Sequence, residues 1–150
     1  MRMTVRPSYM TYWSLIAIVL GSLAAGCGER DQSDKPEVQA GLAAAADWLG
    51  QVDSGNYAGS WTSAAAYFRA AVPQDQWATS LTAFRAPMGA RVERKVKTAH
   101  FQATMPAAPD GHYVVIQYDT AFANKKSAVE TATVMLETGG VWRVSGYFIR

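Results

Sequence analysis

A chain of 150 residues, 49% of them apolar and only one of them cysteine, is sized for a single domain, and the lone thiol excludes an internal disulfide and any cysteine-based zinc site. Its formal charge of +2 rests on Arg2 and Arg6, without which twelve basic residues face twelve acidic ones. Nucleic-acid binders exchange a basic excess for phosphate counterions, so nucleic acid is excluded as a partner.

In chain order, Met1 to Arg6 holds two arginines and no acid, a largely apolar run from Tyr12 to Leu20 follows, and Gly21 to Gly26 are mostly small. That order predicts a cleaved signal peptide over residues 1–26. An apolar stretch of about fifteen residues falls short of the roughly twenty that cross a bilayer core. Leu23-Ala24-Ala25-Gly26-Cys27 resembles the bacterial lipobox, although leucine usually stands one place nearer the cysteine. The resemblance implies that Cys27 becomes the first mature residue and carries acyl chains, palmitate among them. One acyl chain binds a membrane only marginally, whereas several anchor it stably. By the same resemblance to bacterial lipoproteins, Gly28 in place of aspartate after the cysteine implies the outer membrane over the inner. The expectation is an exported, periplasm-facing lipoprotein of the cell envelope, its residues 27–35 a polar tether without apolar side chains to bury.

Residues 36–150 read as one α+β domain. Pro36 and Glu37 suit a first helical turn with a polar cap before them, and Val38, Leu42, Ala45, Leu49 and Val52 share one face of that helix. Asp53-Ser54-Gly55-Asn56 stops it. A second helix is predicted from Tyr57 to Phe68, and Pro73 opens a third, with Asp75 in its first turn and Trp77, Leu81 and Phe84 on one side. Pro87 and Gly89 close it.

From Arg91 the period changes to two, and turns at Pro106–Gly111, Asn124–Lys126 and Gly139–Gly140 divide four strands. His112–Phe122 is apolar on both parities near its start, which predicts a strand covered on both sides. The last strand sorts Trp142, Val144, Gly146 and Phe148 from Arg143, Ser145 and Tyr147. In the first, Val92 and Val96 lie on one parity and Ala99, Phe101 and Ala103 on the other, so a β-bulge is predicted between Lys97 and Phe101. The resulting architecture is three N-terminal helices packed on a four-stranded antiparallel meander.

Several strings resemble the bacterial family numbered 4019 among domains of unknown function. They are Trp48-Leu49, Val52-Asp53 before Gly55, Ser60-Trp61, Phe68-Arg69-Ala70-Ala71-Val72 and Gln76-Trp77 in the helical half. In the strand half they are Arg85-Ala86-Pro87, Arg94-Lys95, Ala108-Pro109-Asp110-Gly111, Tyr113-Val114-Val115-Ile116, Phe122, Val129-Glu130-Thr131 and Trp142-Arg143-Val144-Ser145-Gly146-Tyr147. The resemblance runs from about Ala43 to Arg150. It implies a fold similar to the nuclear-transport-factor-two-like or cystatin-like cone, which hosts both enzymes and binding modules, and it carries over no catalytic residue.

Candidate sites are few. His100 and His112 lack the neighbours of a metal site, and no phosphate loop, nucleophile elbow or metalloprotease motif occurs, so neither metal nor cofactor is expected. Asp119 and Glu130 lie on strands joined by a hairpin, and as neighbours they offer an acid and base pair. Arg85, Arg91, Arg94, Lys95 and Lys97 form the densest basic stretch, suited to a charged strand face or to an acidic partner. Arg94 shares parity with Val92 and Val96, and is expected to turn inward and pair with an acid such as Asp119. Trp48, Tyr57, Trp61, Phe68, Trp77 and Phe84 recur at helical spacing and are expected mostly in the core. Arg94, Asp119 and Tyr147 are the residues expected at a pocket or interaction face. The leading expectation is a non-catalytic envelope module, membrane-bound through Cys27, that binds a protein or small ligand. The alternatives are a cone-fold isomerase or hydrolase using Asp119 and a structural envelope component.

Overall fold

A computed structural model describes residues 32–150; the predicted signal peptide, Cys27 and the start of the tether lie outside the described residues. Helix α1 (Pro36–Asp53) opens on Pro36, whose missing N–H costs nothing in the first turn. Lys35 precedes it and makes no side-chain cap, contrary to the expected polar cap. The face that buries is the expected one, with Val38, Ala45, Leu49 and Val52 fully enclosed, Trp48 beside them and Leu42 at the margin.

The expected helix from Tyr57 to Phe68 is instead two, α2 (Tyr57–Ser63) and α3 (Ala66–Ala71). Ala64 and Ala65 between them are extended. The interruption is tertiary in origin. The Ala65 N–H donates to the carbonyl of Val144 in the last strand at 2.8 Å, and the Ala66 N–H donates to the Glu137 carboxylate at 2.6 Å. Arg69 donates back to the carbonyls of Thr62 and Ala64. These bonds satisfy backbone groups that a continuous helix would have paired internally. Helix α4 (Gln74–Phe84) follows and ends in a 3-10 turn at Ala86–Met88. Phe84, expected in the core, is 58% exposed.

Strands β1 (Arg91–Gln102), β2 (Tyr113–Phe122), β3 (Ala128–Glu137) and β4 (Val141–Ile149) form one antiparallel sheet in sequence order. The helices cover the face built from Val114, Ile116, Tyr118, Thr120 and Phe122 of β2 and Ala128, Glu130, Ala132 and Val134 of β3. The opposite face is only half-buried at Val115, Gln117 and Val129 and open at Asp119, so β2 is covered on both parities only around Tyr113 and Val114.

Register shifts decide which side chains face the helices. In β1, Val96 pairs with Tyr118 and Thr98 with Gln117, leaving Lys97 as the extra residue at the start of the segment where the bulge was expected. The shift gives one face to Arg94 and Val96 before it and to Ala99 and Phe101 after it, opposite Thr120, Tyr118, Ile116 and Val114. In β4, Val144 pairs with Val134 but Gly146 with Thr133, so Ser145 is an extra residue. Beyond it the inward parity changes: Tyr147 lies opposite Ala132, and Phe148, which shares the sequence parity of the buried Val144, is 46% exposed.

Close packing of α1 on the sheet depends on Gly41. A Cβ there would lie 2.9 Å from both Cβ and Cγ2 of Val114, on a fully buried strand residue. Gly41→Ala should therefore destabilise the fold in urea titration, because overpacking of about 1–3 kcal/mol outweighs the roughly 1 kcal/mol gained in helix propensity.

Candidate functional site

Asp53 ends α1, where the helix dipole is negative, so a carboxylate there is unfavourable unless cations meet it. Three arginines do. Arg85, just past α4, donates from Nη2 at 3.0 Å; Arg91 of β1 donates from Nε at 2.9 Å; and Arg94 of β1 donates from Nη1 at 2.7 Å and from Nη2 at 3.0 Å. Burial alone would raise the Asp53 pKa, but the hydrogen bonds from Arg94 and Arg85 outweigh it and hold the carboxyl below its ordinary 3.8.

Arg94 also reaches in the other direction. Its Nε and Nη2 donate to the two carboxylate oxygens of Glu130 at 2.6 and 3.0 Å, a bidentate pair on a side chain with no exposure at all. Thr120 donates its hydroxyl to Glu130 at 2.6 Å, and Tyr147 donates its own in a short hydrogen bond. Burial, followed by the neighbouring Glu130 carboxylate, pushes the Tyr147 pKa well above 10, so the phenol remains a donor. The chain of contacts Tyr147, Glu130, Arg94, Asp53, Arg85 thus ties together β4, β3, β1, α1 and the segment after α4.

Arg85 is 3% exposed, lies over the Phe122 ring at 4.2 Å and donates from Nη1 to the Gly89 carbonyl at 2.7 Å. Its Nε is buried without a hydrogen-bond partner among the described residues. On the other side of Glu130 lies an aromatic cluster. Trp48 meets Tyr147 edge-on at 5.2 Å between ring centroids and Trp77 at 5.9 Å, and Phe68 meets Trp77 at 5.1 Å. The Trp48 indole donates to the Ser60 carbonyl at 2.7 Å and the Trp77 indole to the Ser60 hydroxyl at 3.0 Å.

Between α1 and β1 a solvent-connected cleft of about 290 Å³ is lined by Ala46, Leu49, Gly50 and Asp53 on one side and Arg91, Arg94, Val96 and Tyr118 on the other. Glu130 lies behind Arg94 and outside the lining. The Tyr118 pKa is pushed up to about 12 by burial, so its hydroxyl too stays protonated. A second groove, of about 530 Å³, runs between Ala40, Ala44 and Asp47 of α1 and the β3–β4 hairpin at Val141 and Trp142.

The expected pairing of Asp119 with Glu130 does not form. Tyr118 stands opposite Glu130 and Asp119 opposite Val129, which places the two carboxylates on opposite sheet faces. Asp119 accepts instead from Lys97 at 3.0 Å, on the outer face, and lines neither cleft. Arg94 turns inward, but its acids are Asp53 and Glu130. The basic stretch divides: Arg85, Arg91 and Arg94 converge on Asp53, whereas Lys95 pairs with Glu93 at 2.9 Å and Lys97 with Asp119 on the outside. His112 is exposed against Phe101, His100 is half-buried opposite Val115, and no cluster of metal-ligating side chains occurs among the described residues. Cys27 lies outside the described residues.

Asp53 and Thr120 are the members that sequence reading missed. Asp53 looked like part of a stop signal, yet an acid at the wrong end of a helix dipole is itself a reason to look for a cation. Chemically, each of the two carboxylates accepts four hydrogen bonds, the capacity of its lone pairs. The arrangement can orient donors and hold positive charge at the cleft; it leaves neither acid a vacant site for a substrate proton.

One consequence is a defined acid limb. A carboxyl that titrates lower folded than unfolded contributes stability above its unfolded pKa and loses it as pH falls through the folded value. Stability should drop as pH falls below 3.8, and Asp53→Asn, less stable at neutral pH, should flatten that drop in urea titrations across pH.

No curated protein and no solved structure matches the chain. A family model described as Protein of unknown function (DUF4019) matches residues 44–147. The matched span starts within α1 and ends on Tyr147, so it takes in Asp53, Arg85, Arg91, Arg94, Thr120 and Glu130 along with both clefts' strands. The chain belongs to this family of proteins of unknown function.

Proposed function

We propose that the chain is a non-catalytic binding module of the bacterial cell envelope, exported by residues 1–26, anchored by acylated Cys27 and binding a ligand or protein partner in the cleft between α1 and β1. The observation that carries the reading is the saturation of Asp53 and Glu130 by arginine, hydroxyl and phenol donors. Next to them stands a cleft with apolar walls and exposed guanidinium. Such a cleft offers recognition, with donors to orient a guest and apolar surface to bury, and lacks a free base or nucleophile. Asp119, the residue on which an isomerase or hydrolase reading depended, is ion-paired to Lys97 on the far face. The lipobox-like Leu23-Ala24-Ala25-Gly26-Cys27 supports the anchor, and Gly28 supports the outer membrane as its destination.

Detergent extraction of the full chain from envelopes tests both parts. Cys27→Ser should release the protein to the soluble fraction and abolish labelling by a fatty-acid analogue; retention in the membrane overturns the anchor. Ala46→Trp places an indole in the cleft from an exposed helix position, and should remove the component that co-purifies with the parent protein. Identical co-purification from parent and variant overturns the cleft as the binding place.

A further inference from the structure

The cleft has a sign. Arg85, Arg91 and Arg94 bring three positive charges to Asp53 and Glu130, which bring two negative ones, and both acids are filled with hydrogen bonds. The surplus is localised. Arg94 directs its bonds to the two acids, and Arg85 is enclosed over the Phe122 ring, but Arg91 donates only its Nε to Asp53. The two terminal nitrogens of Arg91 make no hydrogen bond among the described residues, and its side chain is 42% exposed at the cleft rim. Asp53 fixes the guanidinium through Nε, leaving its outer edge as a pre-oriented fork of N–H donors. That fork matches the two oxygens of a carboxylate.

Next to the fork the walls are apolar. Val96 faces the helices from the sheet yet remains 52% exposed, with Leu49, Ala46 and the Tyr118 ring around it. An aliphatic side chain turned toward the helices and left uncovered gains by meeting an apolar guest. At about 290 Å³ the cleft lies at the small end of ligand sites.

We infer that this cleft binds a small monocarboxylate with an apolar body, its carboxylate held by the terminal nitrogens of Arg91 and its body laid on Val96, Leu49, Ala46 and Tyr118. The inference rests on the cleft being the binding place and adds the charge and size of what it takes. A monoanion neutralises the single surplus charge. A dianion would set its second charge against the Asp53 carboxylate within the same lining, at a like-charge cost. Because Arg91 sits at the rim, the contact is partly screened, so affinity should fall as salt rises.

Equilibrium dialysis of the full, detergent-solubilised chain against 3-phenylpropanoate tests this, with 3-phenylpropan-1-ol and 3-phenylpropylammonium as probes of the same shape and different charge. Saturable one-to-one binding of the acid is expected, at least tenfold tighter than the alcohol, with no binding of the ammonium. Arg91→Gln should weaken the acid about tenfold and leave the alcohol unchanged, and Arg91→Lys should restore part of the loss. Asp53 keeps Arg85 and Arg94 in these variants, so the fold is retained. Equal binding of acid and alcohol, insensitivity to Arg91→Gln, or no saturable binding of the acid overturns the inference. If co-purification remains sensitive to Ala46→Trp in those cases, the cleft stands as the binding place and only its charge selectivity is lost. Saturable acid binding that Ala46→Trp leaves unchanged places the acid outside the cleft and overturns the inference, while the cleft itself falls only if co-purification is also unchanged.

Discussion

Arg94→Ala is expected to cost about 3–5 kcal/mol of folding stability, read from the urea midpoint, because it strips the bidentate partner from a carboxylate with no solvent exposure. Glu130 would retain only the hydroxyls of Thr120 and Tyr147, and Asp53 would lose two of its hydrogen bonds. Most of the loss comes from an uncompensated buried charge, and the attraction of the native pair is a smaller quantity. The distinction is measurable. The double variant Arg94→Met with Glu130→Leu removes both charges together and should be considerably more stable than the two single losses combined. Arg94→Lys should fall between, since a point-charge ammonium lacks the fork that bridges two acids at once. A loss below about 1 kcal/mol for Arg94→Ala would show that water reaches Glu130 and that the cluster is solvated, as for a surface pair.

Trp48→Ala should cost a comparable 3–5 kcal/mol, through the cavity left by a large buried ring. Trp48 is 3% exposed, packs on Trp77 and Tyr147, and donates its indole N–H to the Ser60 carbonyl at 2.7 Å. Trp48→Phe keeps most of the ring contacts and loses that bond, so a penalty nearer 1 kcal/mol is expected, plus the smaller ring volume. The near-ultraviolet circular dichroism of the aromatic cluster should collapse in the alanine variant and persist in the phenylalanine one. Tyr147 belongs both to this cluster and to the Glu130 site. Trp48→Ala should therefore also loosen the phenol that completes the Glu130 hydrogen bonds. Aromatic packing and charge pairing thus meet at Tyr147 and Glu130, behind the Arg94 that lines the cleft, which suits a preformed binding surface.

Much of this was readable from residues 36–150 in isolation. Side-chain period is a local property, so the apolar face of α1, the switch to strands at Arg91 and the order of the meander follow from spacing and turn residues alone. The opposed parities of Val96 and Phe101 even implied an extra residue in β1, found at Lys97. The inward turn of Arg94 was legible for the same reason. Its partners were not, since pairing depends on which residues distant in sequence arrive within hydrogen-bonding distance, and spacing along one strand carries no such information.

Three features were decided only in the folded chain. Ala64 and Ala65 have helical composition, but bonds to Val144 and from Arg69 hold them extended. The extra residue at Ser145 changed the parity of β4 and sent Tyr147, rather than Phe148, toward the helices. That single insertion brought the phenol onto Glu130, and the β2–β3 register independently put Asp119 on the other face. Sequence by itself determined which segments bury a face. The tertiary structure determined which charges meet behind that face, because the one-residue shift in β4 reverses every later side chain of that strand and, unlike the shift in β1, no local pattern announces it.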